Sequence, residues 1–201
     1  PGTSGDCAGT LASGASCNIM VEYAPVAANG LDTDTILIDY NDGAAAQQST
    51  RDIEGTSVTP ANLSITETDP YNFGTLATGS TVTHVFTISN GGGFQASAIS
   101  EVGLVAPYTF TGGAFPGTAG DCSGTLASGS SCDIEIQYSP GSLSPADDDT
   151  INISYNNGVV VQNTLRDVTG VAVSPADLQI SETDPYDYGT LATGASRPHL
   201  F

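Results

Sequence analysis

Four cysteines, two histidines and several paired acids are the residues of this chain with chemistry to offer. The cysteines stand at positions 7, 17, 122 and 132, so each pair encloses nine residues and the two pairs lie 115 places apart. No C-x-x-C spacing occurs, which removes a zinc ribbon and a thioredoxin-type redox site. Four cysteines allow three connectivities, and the identical spacing in both copies favours the local pairs Cys7–Cys17 and Cys122–Cys132. Closing a loop this short contributes roughly 3 kcal/mol in the chain-entropy model. Disulfides also place the chain in an oxidising compartment, outside the cytoplasm. The histidines, His84 and His199, are again 115 places apart and occupy one repeat position, so they are not two partners of a single site. Catalysis needs a nucleophile with its base, or paired carboxylates, converging in a pocket. Nothing in the sequence commits to either, and the chain reads as non-enzymatic.

Calcium is the more serious candidate, because hard cations take clustered oxygens. Asp32 and Asp34 form a D-x-D pair just before a strand, repeated as Asp147 and Asp149. A second cluster is conceivable at a domain junction from Asp52, Glu54, Glu67 and Asp69, although Glu54 becomes Thr169 in the next copy. No twelve-residue loop ends in a bidentate Glu, so the EF-hand is absent, and a solvated acidic surface is the simpler reading of both groups.

Composition narrows the partners. Twenty-two acidic residues face three basic ones, there is no lysine, and the net charge is −19. Nucleic acid and anionic membrane both need a basic face, so neither is expected as a partner. No stretch reads as a signal peptide or a membrane-inserting span. Without lysine, a Lys–Asn isopeptide staple cannot form. Two Asn-x-Ser triplets begin at Asn62 and Asn152, a pattern that also arises by chance.

These residues sit on elements that recur. The stretch CSGTLASGSSCDIEIQYSP, residues 122–140, closes a cysteine loop and runs straight into a strand. There Cys132, Ile134, Ile136 and Tyr138 share one face, while Asp133, Glu135 and Gln137 share the other. Its copy, CAGTLASGASCNIMVEYAP, covers residues 7–25. Residues 1–86 slide onto 116–201 without a gap, and Arg51-Asp52, Tyr40-Asn41 and the TETDPY segment all find their counterparts. Self-similarity at a fixed period sets the domain count. We place boundaries at Pro60 and Pro175. Residues 1–59 are then the C-terminal part of one unit, 60–174 a complete unit, and 175–201 the N-terminal part of a third.

Within the complete unit, strands are expected at 63–65, 72–74, 81–89, 98–105, 108–110, 132–138, 151–155 and 159–169. The last two join across Asn156-Asn157-Gly158, a strong hairpin signal matched by Asn41-Asp42-Gly43. No long stretch carries a 3.6-residue period, and the Gly, Thr and Ser density opposes helix. The fold class is therefore all-β: tandem immunoglobulin-like β-sandwich domains of about seven strands each.

The segments FGTLATGSTVTHVFTISNGGG and GTLASGSSCDIEIQYSP, with a final strand ending at Gly170, resemble the choice-of-anchor D and Hydin-like modules, relatives of the major sperm protein fold. The resemblance implies an immunoglobulin-like sandwich used as a repeated module, in bacteria usually on secreted or surface-anchored proteins. It implies no catalytic residues. Tyr23 and Tyr138 stand where that family more often has phenylalanine. Arg166-Asp167 interrupts a strand that is usually more apolar, and is expected to mark a polar contact between domains.

The function expected is that of a disulfide-stapled stalk or fibre module of a bacterial surface or extracellular assembly. An adhesive or ligand-binding module, with calcium, is the alternative. The partners expected are neighbouring copies of the repeat, in one chain or by strand exchange between chains, with Leu200 and Phe201 as the exchange candidates.

Overall fold

The computed structural model describes residues 2–201. Among them are eleven β-strands, a single 3-10 turn at Thr111–Gly113, and no α-helix. Nine of the strands build one sandwich. Its larger sheet has the order β4 (Tyr71–Ala77), β11 (Val161–Val173), β10 (Ser144–Asn156), β6 (Ala96–Glu101), β8 (Thr125–Leu126). The smaller has the order β3 (Leu63–Ile65), β5 (Val82–Asn90), β9 (Ser131–Tyr138), β7 (Tyr108–Phe110). All pairings are antiparallel except β4 with β11, which run parallel.

Period-2 alternation decides what lies between the sheets. Along β9, Cys132, Ile134, Ile136 and Tyr138 are buried and the residues between them are not. Opposite them Phe86 and Ile88 of β5 and Ile151 and Ile153 of β10 are all fully buried in one apolar cluster. The fold class read from the sequence, an all-β sandwich, is the one observed.

Among the described residues two polar side chains are buried, Ser57 on β2 (Ala46–Ser57) and Asn90 in the sandwich. Asn90, 1% exposed, donates from Nδ2 to the carbonyls of Phe94 (2.9 Å) and Leu126 (3.1 Å) and accepts at Oδ1 from the amides of Asn62 (3.1 Å) and Gly92 (3.0 Å). Its amide thereby joins β5, the start of β3, the Gly91–Gly93 turn and β8, with its full hydrogen-bonding capacity used. The turn is glycine for a steric reason. A Cβ on Gly92 would lie 2.1 Å from the Pro60 carbonyl oxygen, and one on Gly93 would lie 3.0 Å from Val58 Cβ. The linker thus runs hard against the turn, and Thr59 Oγ1 accepts from Gly93 N at 2.8 Å.

The remaining two strands, β1 (Gly30–Asn41) and β2 (Ala46–Ser57), form a separate hairpin. Its register repeats that of β10 and β11 at an offset of 115, with Ile36 opposite Arg51 where Ile151 faces Arg166. The turns match too. Asp42 Oδ1 accepts from Ala44 N and Ala45 N, both at 2.8 Å, and Asn157 Oδ1 accepts from Val159 N and Val160 N at 2.9 and 2.8 Å. These local bonds, with Gly43 and Gly158 at φ 96°, let the hairpin form without the rest of a sandwich.

Elsewhere the structure departs from the sequence reading. Residues 17–23 alternate as β9 does, yet form no strand. In the sandwich that strand is held between β5 and β7, whereas residues 17–23 pair with no strand. Residues 175–201 likewise contain turns but no strand. The strand expected at 98–105 is Ala96–Glu101, and β10 begins at Ser144, through the Pro145 and Asp147–Asp149 run that reads as a loop.

Candidate functional site

One open cleft is lined by Thr33, Asp34, Thr35, Asp52, Ile53 and Glu54. The complete unit presents a set of polar and covalent ties between its strands.

The first tie lies at the lower end of β9. Tyr138, fully buried, donates its hydroxyl to Asp147 Oδ2 at 2.6 Å, and Tyr108 donates to the Asp147 carbonyl at 2.7 Å. The two rings stack with centroids 4.9 Å apart. Burial pushes both phenols well above the ordinary tyrosine range, helped at Tyr138 by donation to Asp147 and at Tyr108 by nearby negative charge. Gly170 of β11 closes the arrangement, since a Cβ there would sit 2.6 Å from the Tyr138 ring. The first copy repeats all of this except the burial. Tyr23 donates to Asp32 Oδ2 at 2.6 Å, and Gly55 lies under the Tyr23 ring, where a Cβ would come within 2.8 Å. That bond lowers the Asp32 pKa and raises that of Tyr23.

The second tie is made by Arg166 on β11. Its Nη2 donates to the Ile65 carbonyl at 2.5 Å, and Nη1 lies 3.6 Å from Asp69 Oδ2. Asp69 Oδ1 also accepts from Asp167 N at 3.1 Å. Arg166-Asp167 therefore binds the front of its own sandwich, and the contact between domains expected of it is not what it makes. The third tie is covalent. Cys122 joins Cys132 and Cys7 joins Cys17, each with a Cα separation of 4.9 Å. Cys122 and Cys132 are buried.

Arg166 lies on the strand that pairs in parallel with β4, a pairing that sets Tyr71 beside Val168 and Ala77 beside Val173. His84 belongs to the same region. Its ring stacks on Tyr71 at 4.0 Å and meets Phe86 edge-on at 4.8 Å, so its contacts are those of a packed strand residue.

The acidic candidates are not assembled as a cation site. Among the described residues no three His, Cys, Asp or Glu side chains are placed to hold a metal. Asp32 is engaged by Tyr23, and Asp147 by Tyr138. Asp34 Oδ1 accepts from Thr35 N and Asp149 Oδ1 from Thr150 N, while Asp149 Oδ2 accepts from Val105 N. The junction cluster does not form. Asp52 accepts from Thr35 Oγ1, Glu67 accepts from Thr87 N, and Asp69 is drawn to Arg166. Glu54 is exposed on β2. Asp69 stands beside the last strand of its own unit, 98 residues on in sequence, and this distance is what a reading by neighbourhood in sequence missed. Of the strand-exchange candidates, Phe201 matches buried Phe86. Leu200 matches Val85, which is 38% exposed and points away from the core.

Asn90, Arg166 and the Tyr138 hydroxyl were not singled out by sequence as ties. The signals available were an Asn ahead of three glycines, a lone cation in a strand of an acidic chain, and Tyr where a ring alone would fill the core.

No protein-family model matches the chain, and no curated protein matches it. Among solved structures it is similar to the VesB protease of Vibrio cholerae, at 16% identity and a TM-score of 0.43, over 56% of this chain and 32% of that one. It thus spans about a third of that protease. It is also similar to PapD-like domain 7 of human CEP192, an ASH / PapD-like domain, at 16% identity and a TM-score of 0.41, over 59% and 89%. A third is a protein of unknown function from Porphyromonas gingivalis W83, at 12% identity and a TM-score of 0.40, over 71% and 66%. At these values none assigns a role, and the sandwich rests on the chain's own sheet topology.

Proposed function

We propose that this chain is a non-catalytic structural module of a bacterial extracellular fibre or surface stalk, built from tandem sandwiches that transmit tension along the chain. The observation that carries this reading is the parallel pairing of β4 with β11. Tension enters the sandwich ahead of Tyr71 and leaves beyond Val173. On parallel neighbours those two points lie at opposite ends of the pair, so traction shears the strands and loads all their hydrogen bonds together. Antiparallel neighbours pulled from one end would instead open bond by bond. The Arg166 and Tyr138 ties and the Cys122–Cys132 disulfide brace the same assembly, and 39% hydrophobic residues under a net charge of −19 suit a hydrated, self-repelling fibre. Support also comes from the repeat itself. The Tyr–Asp hydroxyl bond, the cysteine loop and the hairpin turn recur as structural contacts at an offset of 115.

The experiment is a comparison of pulling directions. Pulled through its termini, the complete unit should yield as one event at high force. Pulled through handles at Leu143 and Ser174, which flank the adjacent ends of β10 and β11, it should open at markedly lower force. Equal forces in the two directions would remove the mechanical reading.

A further inference from the structure

The boundary between the first hairpin and the complete sandwich is anchored on both sides. On the hairpin side Ser57, the last residue of β2, is 4% exposed; its hydroxyl accepts from Asn29 N at 2.9 Å and donates to the Gly30 carbonyl at 3.5 Å. On the sandwich side Thr59 Oγ1 accepts from Gly93 N at 2.8 Å, Ala61 N donates to the Asn157 carbonyl at 3.0 Å, and Asn62 N donates to Asn90 Oδ1 at 3.1 Å. Gly91 N returns a bond to the Asn62 carbonyl at 2.9 Å. A single residue, Val58, separates the two sets of anchors, and Pro60 has its own φ fixed by its ring.

Two observations mark the Gly91–Gly93 turn as built for this contact. Glycine commonly serves a turn by adopting positive φ, yet none of these three does so. What demands glycine is closeness. A Cβ on Gly92 would lie 2.1 Å from the Pro60 oxygen and 2.6 Å from Ala61 Cα, and one on Gly93 would lie 3.0 Å from both Val58 Cβ and Thr59 Oγ1. The second observation is at the next boundary, where Ser174-Pro175-Ala176 keeps a hydroxyl, a proline and an alanine in the places of Thr59-Pro60-Ala61.

We propose that the Gly91–Gly93 turn is a seat for the strand that leaves the preceding repeat, and that it fixes each unit against the one before it. The partner it fits is an extended segment of the same chain that brings a hydroxyl ahead of a proline: the hydroxyl takes the free amide of the third glycine, and the bare second glycine lets the proline carbonyl pass. Successive units then keep one mutual orientation, and the boundary behaves as a rigid joint. The inference deepens the stalk reading and rests on it for its purpose, because a joint without slack passes load from one unit to the next without a hinge.

The test is backbone amide relaxation by NMR on the full chain, with the β1–β2 hairpin as the reporter. Hairpin and sandwich should tumble with one correlation time, and the amides of Val58, Thr59 and Ala61 should show order parameters of about 0.85, the level of rigid backbone. Thr59→Val removes the acceptor of Gly93 N, and Gly92→Ala drives Pro60 off the turn. Each should lower those order parameters toward about 0.6 and shorten the correlation time of the hairpin alone. Thr59→Ser keeps the hydroxyl and should restore the rigid values. Thr59 is exposed, so its variants are readable even where Gly92→Ala fails to fold. Order parameters below about 0.6 at Val58 and Thr59 in the unmodified chain would overturn the proposal, as would a hairpin that tumbles faster than the sandwich, or a boundary left equally rigid by Thr59→Val. Relaxation reads the boundary while the pulling comparison reads the sandwich alone, so the failure of one is distinguishable from the failure of the other.

Discussion

Replacing Asn90 by alanine tests how the unit is held at its upper end. The substitution removes one amide and strands four backbone groups: the amides of Asn62 and Gly92, and the carbonyls of Phe94 and Leu126. A buried donor left without a partner costs about 1–3 kcal/mol, and carbonyls tolerate the loss better. Asn62 and Gly92 lie near the surface turn, so water relieves part of this, leaving a loss of about 3 kcal/mol. For a sandwich of this size that lowers the melting temperature by roughly 10–15 °C, measurable by calorimetry or circular dichroism. Asn90→Asp sharpens the test. Aspartate keeps the acceptor but turns a charged oxygen toward two carbonyls, which raises its folded-state pKa above the unfolded value. Its penalty is therefore largest at neutral pH and shrinks as pH falls through that raised value, while Asn90→Ala shows no such recovery. A loss below about 1 kcal/mol for alanine, or an aspartate variant without acid recovery, would refute the reasoning.

Three further outcomes follow from the ties. Cys122→Ser with Cys132→Ser should cost about 3 kcal/mol by loop-closure entropy, seen as a lower melting temperature with an unchanged far-ultraviolet spectrum. Gly170→Ala should cost about 2–3 kcal/mol by overpacking, since the added methyl meets the Tyr138 ring. The raised phenol pKa values of Tyr108 and Tyr138 set an alkaline limit. Unfolded tyrosines lose their protons near pH 10 while the folded ones keep theirs, so stability is complete below that pH and falls as pH rises above it. Tyr138→Phe should lose about 2 kcal/mol at pH 7 through the Asp147 bond, yet unfold less steeply above pH 10 in an alkaline titration.

The sequence made legible what depends on local pattern. Alternation at 132–138 found β9 and its buried face, and Asn156-Asn157-Gly158 found the turn between β10 and β11. Alternation at 17–23 misled for a physical reason: a strand is a pairing, and the pattern states only which face would be buried once partners arrive. β10 extends back through Pro145 and Asp147–Asp149 because the Tyr108 and Tyr138 hydroxyls, brought by two other strands, satisfy Asp147. That support is invisible in the run of aspartates itself. The acidic candidates failed in the same way, since Asp69 reads as a neighbour of Glu67 and Asp52 but finds Arg166 on the last strand. Residue types marked the polar ties, and only topology named their partners.

The central claim is that tension shears an intact, disulfide-braced sandwich, and a single force–extension trace of the complete unit, taken with and without reductant, tests it most directly. The oxidised unit should hold as one cooperative event. Reduction should then lengthen the released chain by the ten-residue separation of Cys122 and Cys132, about 36 Å at full extension less the Cα separation already spanned. A high-force event that gains about 30 Å on reduction is the result predicted. Gradual opening at low force, with no change in length on reduction, would contradict it.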